Sequence, residues 1–230
     1  MSDSSIRAVA ALDDDLRRGM YGFIRKARRP VTREEAAAAV GISRKLAAFH
    51  LDKLVETGLL RVGCPSVDSV RKVGRAPKVY EPAEADIRVS IPPRQHDVLA
   101  EILLEAVVTE SGDETASQAA TRVAGERGRD LGVAEREDTR PGRLGTERAL
   151  TLSEAVLARH GFEPSRETAT TLRLRNCPFH PLTAKAPELV CGINQAFIAG
   201  FLAGLEAGTV SAVLAPSPGA CCVTLRPEEN

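Results

Sequence analysis

The spacing of apolar residues predicts helices through most of this chain, with period-two stretches confined to residues near 60–82 and beyond 168. Residues 5–28 place Leu16, Met20, Phe23 and Ile24 on one stripe and read as a single helix that stops before Pro30. The next stretch, VTREEAAAAVGISRKLAAFHLDKLVETGLL, is punctuated more sharply. Thr32 and Glu35 match the S/T-x-x-E capping box at the head of a helix over REEAAAAV, and Gly41 supplies the residue tolerant of positive φ that ends it. Ser43 caps a second helix, on which Ala47, Leu51 and Leu54 fall at i, i+4 and i+7 and face a core. Two short strands, LLRV and VYEP, then flank the loop CPSVDSVRKVGRAPK.

Pro92 and Pro93 open RQHDVLAEILLEAVVTES, where Val98, Leu99, Ile102, Leu103, Ala106 and Val107 make a stripe wider than a solvated helix needs. Such a helix requires a partner, supplied either by the second domain or by another subunit. Residues 113–133 read as a helix of small side chains (Ala116, Ala119, Ala120, Ala124), whereas the Gly-rich, charged, aperiodic composition of 126–147 predicts a loop or flexible connection. TERALTLSEAVLARH is a further helix with Leu152, Val156 and Leu157 inward and Gly161 as its C′ residue. Beyond 168 the sequence TATTLRLRN sets Leu172 and Leu174 on one face of a half-buried strand. A helix over 187–207 and two strands, VSAVLAP and CCVTLR, complete the chain. The order implies an α+β fold: an N-terminal winged helix-turn-helix over 1–90, a pairing helix, second helix and flexible connection over 91–147, and a small α/β domain with an antiparallel sheet over 148–230.

Charge changes the picture, because the overall balance of zero hides two opposite halves. Residues 1–80 hold sixteen Lys and Arg against nine Asp and Glu, and the remainder holds fifteen against twenty-two. A basic half built around two capped helices points to double-stranded DNA as partner. On the second helix the face opposite the core carries Arg44, Lys45, Ala48, Phe49 and Lys53. Ser43 sits at its N-terminus, where a recognition helix meets base edges and phosphates. Arg75 and Lys78, with Arg71 and Lys72, fall in the strand-flanked loop where a wing meets the flanking backbone. Reading paired half-sites favours a homodimer, with the helix near 94–110 as its seam. No apolar run approaches membrane-spanning length and the acidic N-terminus suits no signal peptide, so a cytoplasmic protein with no membrane partner is expected.

In a reducing compartment, five cysteines raise metal or redox chemistry rather than permanent disulfides. Cys64 lies in the wing and reads as an incidental thiol; Cys177, Cys191, Cys221 and Cys222 all fall in the C-terminal third. The spacing is no zinc-ribbon pattern, and only Cys177 and His180 stand as close as paired zinc ligands usually do. A regular strand cannot aim Cys221 and Cys222 at one site. Cys221 shares the apolar face of Val223 and Leu225, which makes Cys222 the better ligand and Cys221 the better structural residue.

The segment NCPF, the cysteine in PELVC and the late Gly-x-x-Cys resemble the SufR-type iron-sulfur repressors, relatives of the ArsR and DeoR winged-helix regulators. SRKLAAFHLDKLVETGLL followed by GRAPKVYEP is similar to the DNA-binding half of that group. The resemblance implies a dimeric, non-enzymatic transcriptional repressor that binds operator DNA. It also implies that Cys177, Cys191 and Cys222 hold an iron-sulfur cluster of the [4Fe-4S] kind; on the residues themselves, Cys221 and His180 stand as alternative ligands and Zn as the alternative metal. Two other functions remain open on the residues. One is a winged-helix regulator with a small-molecule pocket and structural or zinc-bound cysteines. The other is a thiol redox enzyme like the vinyl-reductase-like domains, although no acid/base pair or nucleotide loop accompanies the thiols.

Overall fold

A computed structural model describes residues 3–63, 78–84 and 86–228. Among them the chain forms nine α-helices and two antiparallel sheets, an α+β fold, in two compact units, Met1–Ser90 and Ile91–Asn230.

The first unit contains α1 (Asp3–Ala11), α2 (Asp15–Ala27), β1 (Val31–Thr32), α3 (Arg33–Ala39), α4 (Arg44–Glu56), β2 (Leu60–Gly63) and β3 (Val79–Pro82). The single helix expected over 5–28 is two. Asp14 breaks it by taking extended backbone and accepting the Arg17 N–H at 2.9 Å, the action of an N-cap. Ala8, Ala11, Met20 and Ile24 are buried against α3 and α4 in the core of this unit. The capping box is present in both directions: Glu35 N–H donates to Thr32 Oγ1 and Thr32 N–H donates to the Glu35 carboxylate. Gly41, at φ +70°, turns the chain between α3 and α4, and the Ser43 hydroxyl accepts from Leu46 N–H. The strands order β1-β3-β2, so Val31–Thr32, expected only as the lead-in to a cap, closes the sheet as a third strand.

In the second unit, α5 (His96–Val108), α6 (Ala116–Thr139), α7 (Thr146–Arg159), α8 (Leu182–Lys185) and α9 (Pro187–Gly204) accompany a four-stranded sheet. Its strands are β4 (Pro164–Thr168), β5 (Thr171–Leu174), β6 (Val210–Leu214) and β7 (Val223–Pro227), in the order β4-β5-β7-β6. The flexible connection expected over 126–147 is corrected: α6 runs unbroken to Thr139, through the glycines that suggested a loop. Those glycines let α6 lie on α9 with backbones touching. A Cβ on Gly128 would stand 1.9 Å from the Phe197 carbonyl oxygen, and one on Gly200 would stand 2.0 Å from that of Gly125.

Leu99, Ile102 and Ala106 bury α5 in the same core as α6, α7, α9 and the sheet, and Arg127 of α6 ties it further through Glu101 and Glu105 at 2.7 and 2.8 Å. Its other face leaves Leu104, Val107 and Val108 exposed. No helix of the described residues is long and apolar enough to cross a membrane.

Candidate functional site

Two places carry candidate chemistry, one in each unit. In the first, the core-facing residues of α4 are Ala47, His50, Leu51 and Leu54, all buried. His50 therefore packs: its ring meets Phe49 edge to face at 5.4 Å, with Nδ1 3.8 Å from the Asp14 carboxylate. The opposite face exposes Arg44, Lys45, Phe49 and Lys53, with Ala48 half-buried between them. Arg44 pairs with Glu34 at 3.4 Å and Lys53 with Glu56 at 3.0 Å; both pairs are solvated and cheap to exchange for a phosphate. Phe49 is 65% exposed, and Leu46, not singled out from the sequence, is exposed beside it. A large apolar ring kept in water on a basic helix face marks a surface with something to meet. The Ser43 hydroxyl is occupied as the helix cap. Lys78 is exposed at the start of β3. Arg75, with Arg71, Lys72 and Cys64, lies outside the described residues.

The second place is an end of the four-stranded sheet, where antiparallel order puts the exit of β5 beside the entrance of β7. Leu172 pairs with Leu225 and Arg173 with Thr224. The ladder continues as Cys221 N–H donates to the Leu174 carbonyl at 2.8 Å, so Cys177 and the Cys221–Cys222 pair arrive together. Ala215 N–H donates to the Cys222 carbonyl at 2.7 Å, fixing the same end against β6. Cys191, in the opening turns of α9, completes the group. A cavity of about 380 Å³ is lined here by Cys177, Cys191, Cys222 and His180, with Arg94, Arg175, Asn176 and Thr183, and by the turn Pro216, Ser217, Gly219 and Ala220.

Cys221 faces elsewhere. It is fully buried and accepts a hydrogen bond from Asn194 Nδ2 at 3.1 Å. The alternation expected from a regular strand is only partly the cause. β7 begins at Val223, and Thr224, on the supposed outer face, is buried too. The irregular segment 216–222, anchored by the two backbone hydrogen bonds, puts Cys222 on the cavity wall and leaves Cys221 behind it, with the two thiols still neighbours.

The four thiols form a row of neighbours: Cys177 beside Cys221, Cys221 beside Cys222, and Cys222 beside Cys191. Hydrogen bonding from Cys221 holds Cys222 down at about 6, aided by Cys191 and Asn194, and holds Cys177 below an ordinary thiol, with backbone N–H groups of Phe179 and His180 adding to it. Cys221 pays for this by keeping its proton, its titration pushed far up by the same contacts with Cys177 and Cys222 and by burial. Burial, then Cys222, pushes Cys191 up to about 12. Cys221 thus sits between Cys177 and Cys222 in the row, and both of these are lowered beside it. Among the described residues, no group of three or more His, Cys, Asp or Glu side chains is arranged to hold a single metal ion.

Around the cavity, the cysteines and His180 are legible in the sequence, whereas Arg94, Asn176 and Asn194 are not among the residues it singles out. Asn194 had a visible signal, as one of two adjacent amides, with Gln195, within the apolar run GINQAFIAGF. Arg94 had none, because 83 residues separate it from Cys177.

Residues 12–63 match the helix-turn-helix domain family. With the capped α3–α4 pair and the β1-β3-β2 sheet, that match makes the first unit a winged-helix DNA-binding domain of the ArsR-like kind, as found in transcriptional regulators. Among curated proteins, none matches the chain significantly.

Proposed function

We propose that the chain is a homodimeric, cytoplasmic transcriptional repressor whose second unit senses iron-sulfur or redox status through a cluster held by Cys177, Cys191 and Cys222. One observation carries this reading. Three thiols from three separate segments line one cavity, while the fourth, Cys221, is fully buried beside them, hydrogen-bonded by Asn194, and does not line it. The donor set fits the group. Clusters are bound by thiolates, each on its own iron, so thiols set in a row round a cavity suit a cluster better than a single ion such as Zn, which wants its ligands converged on one point. His180 lines the same cavity and is the protein's own candidate for a remaining coordination position. When bound, the cluster supplies sensitivity to oxidants and to iron supply.

The protein's contribution is to gather three thiols round one cavity, whose wall the 216–220 turn completes. The exposed Leu104, Val107 and Val108 face of α5 supports pairing of two copies, which a regulator of two-fold DNA sites requires. Coupling on the order of 1–3 kcal/mol between cavity and DNA suffices for control.

Anaerobic purification, a visible spectrum, and iron, sulfide and zinc analysis test the reading. A brown protein with matched iron and sulfide is expected. A colourless protein with one zinc per chain overturns it, and a metal-free protein that never takes up iron and sulfide moves the function to the rival small-molecule pocket.

A further inference from the structure

We propose that Arg94 and Asn176 form a latch that transmits the state of the thiol cavity to the start of α5. The inference takes from the proposed function that the cavity is the input, and is independent of what fills it.

Among the described residues, Arg94 alone both lines the cavity and lies at the approach to α5, two residues before His96. Its Nη1 donates to Asn176 Oδ1 at 2.5 Å, to the Cys177 carbonyl at 3.1 Å and to its neighbour's carbonyl, that of Pro93, at 3.2 Å. Asn176 is only 7% exposed, and its Nδ2 donates back to the Pro93 carbonyl at 3.0 Å and to the Gly161 carbonyl at 2.6 Å. Two more bonds run alongside: Gln95 N–H to the Pro178 carbonyl and His96 Nε2 to the His180 carbonyl, both at 2.9 Å. Every residue from 93 to 96 is therefore bonded to the 176–180 turn, or to the amide that fills it.

A buried amide that let go of these partners would leave polar groups without water or protein to satisfy them. The turn and the head of α5 must consequently move together. A change in the Cys177 backbone, which an occupant of the cavity would impose, reaches the helix that carries the exposed Leu104, Val107 and Val108 face. All three acceptors meet Nη1, at the far end of a rigid planar group that reaches about one bond beyond a lysine nitrogen. A lysine of equal charge cannot hold the side-chain and carbonyl acceptors in that geometry. The substitution Arg94→Lys accordingly separates a latch from a mere positive charge near the thiols.

The test is amide hydrogen exchange of Gln95 and the first turns of α5 in the full-length protein. It compares the apo state with two fillings of the cavity: iron and sulfide added anaerobically, and N-ethylmaleimide. The maleimide adds a thiolate sulfur across its alkene, and the thiol proton ends on the neighbouring carbon. In the parent, filling should shift this exchange about 5-fold or more, the range of ordinary site-to-site coupling. Arg94→Lys, and the near-isosteric Asn176→Asp as a second variant with unchanged circular dichroism, should take up the same probe while exchange in α5 stays flat. A parent whose α5 is indifferent to a seated maleimide overturns the latch, as does an Arg94→Lys protein that responds like the parent. If iron never loads but maleimide shifts α5 in the parent alone, the latch stands and the cluster falls.

Discussion

The contact between α6 and α9 sets the sharpest stability prediction. Changing Gly128 to Ala adds one methyl, whose carbon would stand 1.9 Å from the Phe197 carbonyl oxygen and 3.0 Å from the Phe201 nitrogen. Carbon and oxygen of this kind approach no closer than about 3.3 Å, so the helices must part by more than 1 Å, roughly, along much of their length. The neighbouring atoms are backbone, with no rotamer to yield. Overpacking of this kind costs about 1–3 kcal/mol where side chains can adjust, and here the upper end or beyond is expected. The exchange of Gly for Ala inside a helix returns only about 1 kcal/mol.

A net loss of about 2–3 kcal/mol lowers the melting temperature of a unit this size by roughly 5–12 °C. Gly125→Ala is the internal control. Its methyl would meet the Ala196 carbonyl at 3.7 Å, an ordinary contact, so the same helix should gain slightly from it. Urea and thermal unfolding followed by circular dichroism would compare both variants with the parent. A Gly128→Ala protein as stable as Gly125→Ala would refute the close approach.

Three further outcomes follow from the two sites. Arg44→Ala should weaken DNA binding by about 1–3 kcal/mol and, if Arg44 meets a phosphate, reduce the salt slope by about one; an unchanged affinity and slope in a gel-shift series would contradict the assigned face of α4. Glu35 is held down at about 2 by the Arg29 guanidinium, then by the Thr32 N–H and hydroxyl. Since its folded titration lies below the ordinary 4.5, the stability it contributes is complete above pH 4.5 and is lost as pH falls towards 2. After discounting for partial exposure this amounts to about 1–2 kcal/mol, so Glu35→Gln should flatten acid unfolding of the first unit in that window, and an unaltered acid profile would count against the capping box. Cys222→Ser should abolish retention of iron and sulfide whereas Cys221→Ser should keep it at some cost in stability, and the reverse result would exchange their roles.

How much was visible in the sequence depends on how local the determining physics is. The caps at Thr32 and Ser43, the turn at Gly41 and the buried stripe of α4 are set within a few residues, and each stands where the spacing puts it. Asp14 was missed because one short polar side chain interrupts a stripe that otherwise continues. β4 was missed because PSRET shows no apolar alternation; its backbone pairing with β5 makes it a strand. The glycines of α6 misled because composition cannot tell a glycine that loosens a loop from one that admits a second helix. Spacing could have told: Gly125, Gly128 and Gly132 recur at three and four residues, and so trace one helix face.

The cavity depends on the least local physics of all. Cys177 and Cys222 meet because β5 and β7 are antiparallel neighbours, a pairing that skips α8, α9 and β6 in the chain. Cys191 joins them only if α9 is held at its observed depth, and that depth is fixed from the far side, by Gly128 and Gly132 admitting the α9 backbone. The glycines that looked like slack are thus part of what places a thiol. The perturbations already described can expose this dependence. A Gly128→Ala protein that remains folded should present Cys191 differently to the cavity and lose retention of iron and sulfide more steeply than Gly125→Ala, with no donor atom changed. If both variants retain the metal equally while differing in stability, the depth of α9 does not set the site, and the 216–220 turn must position the thiols without it.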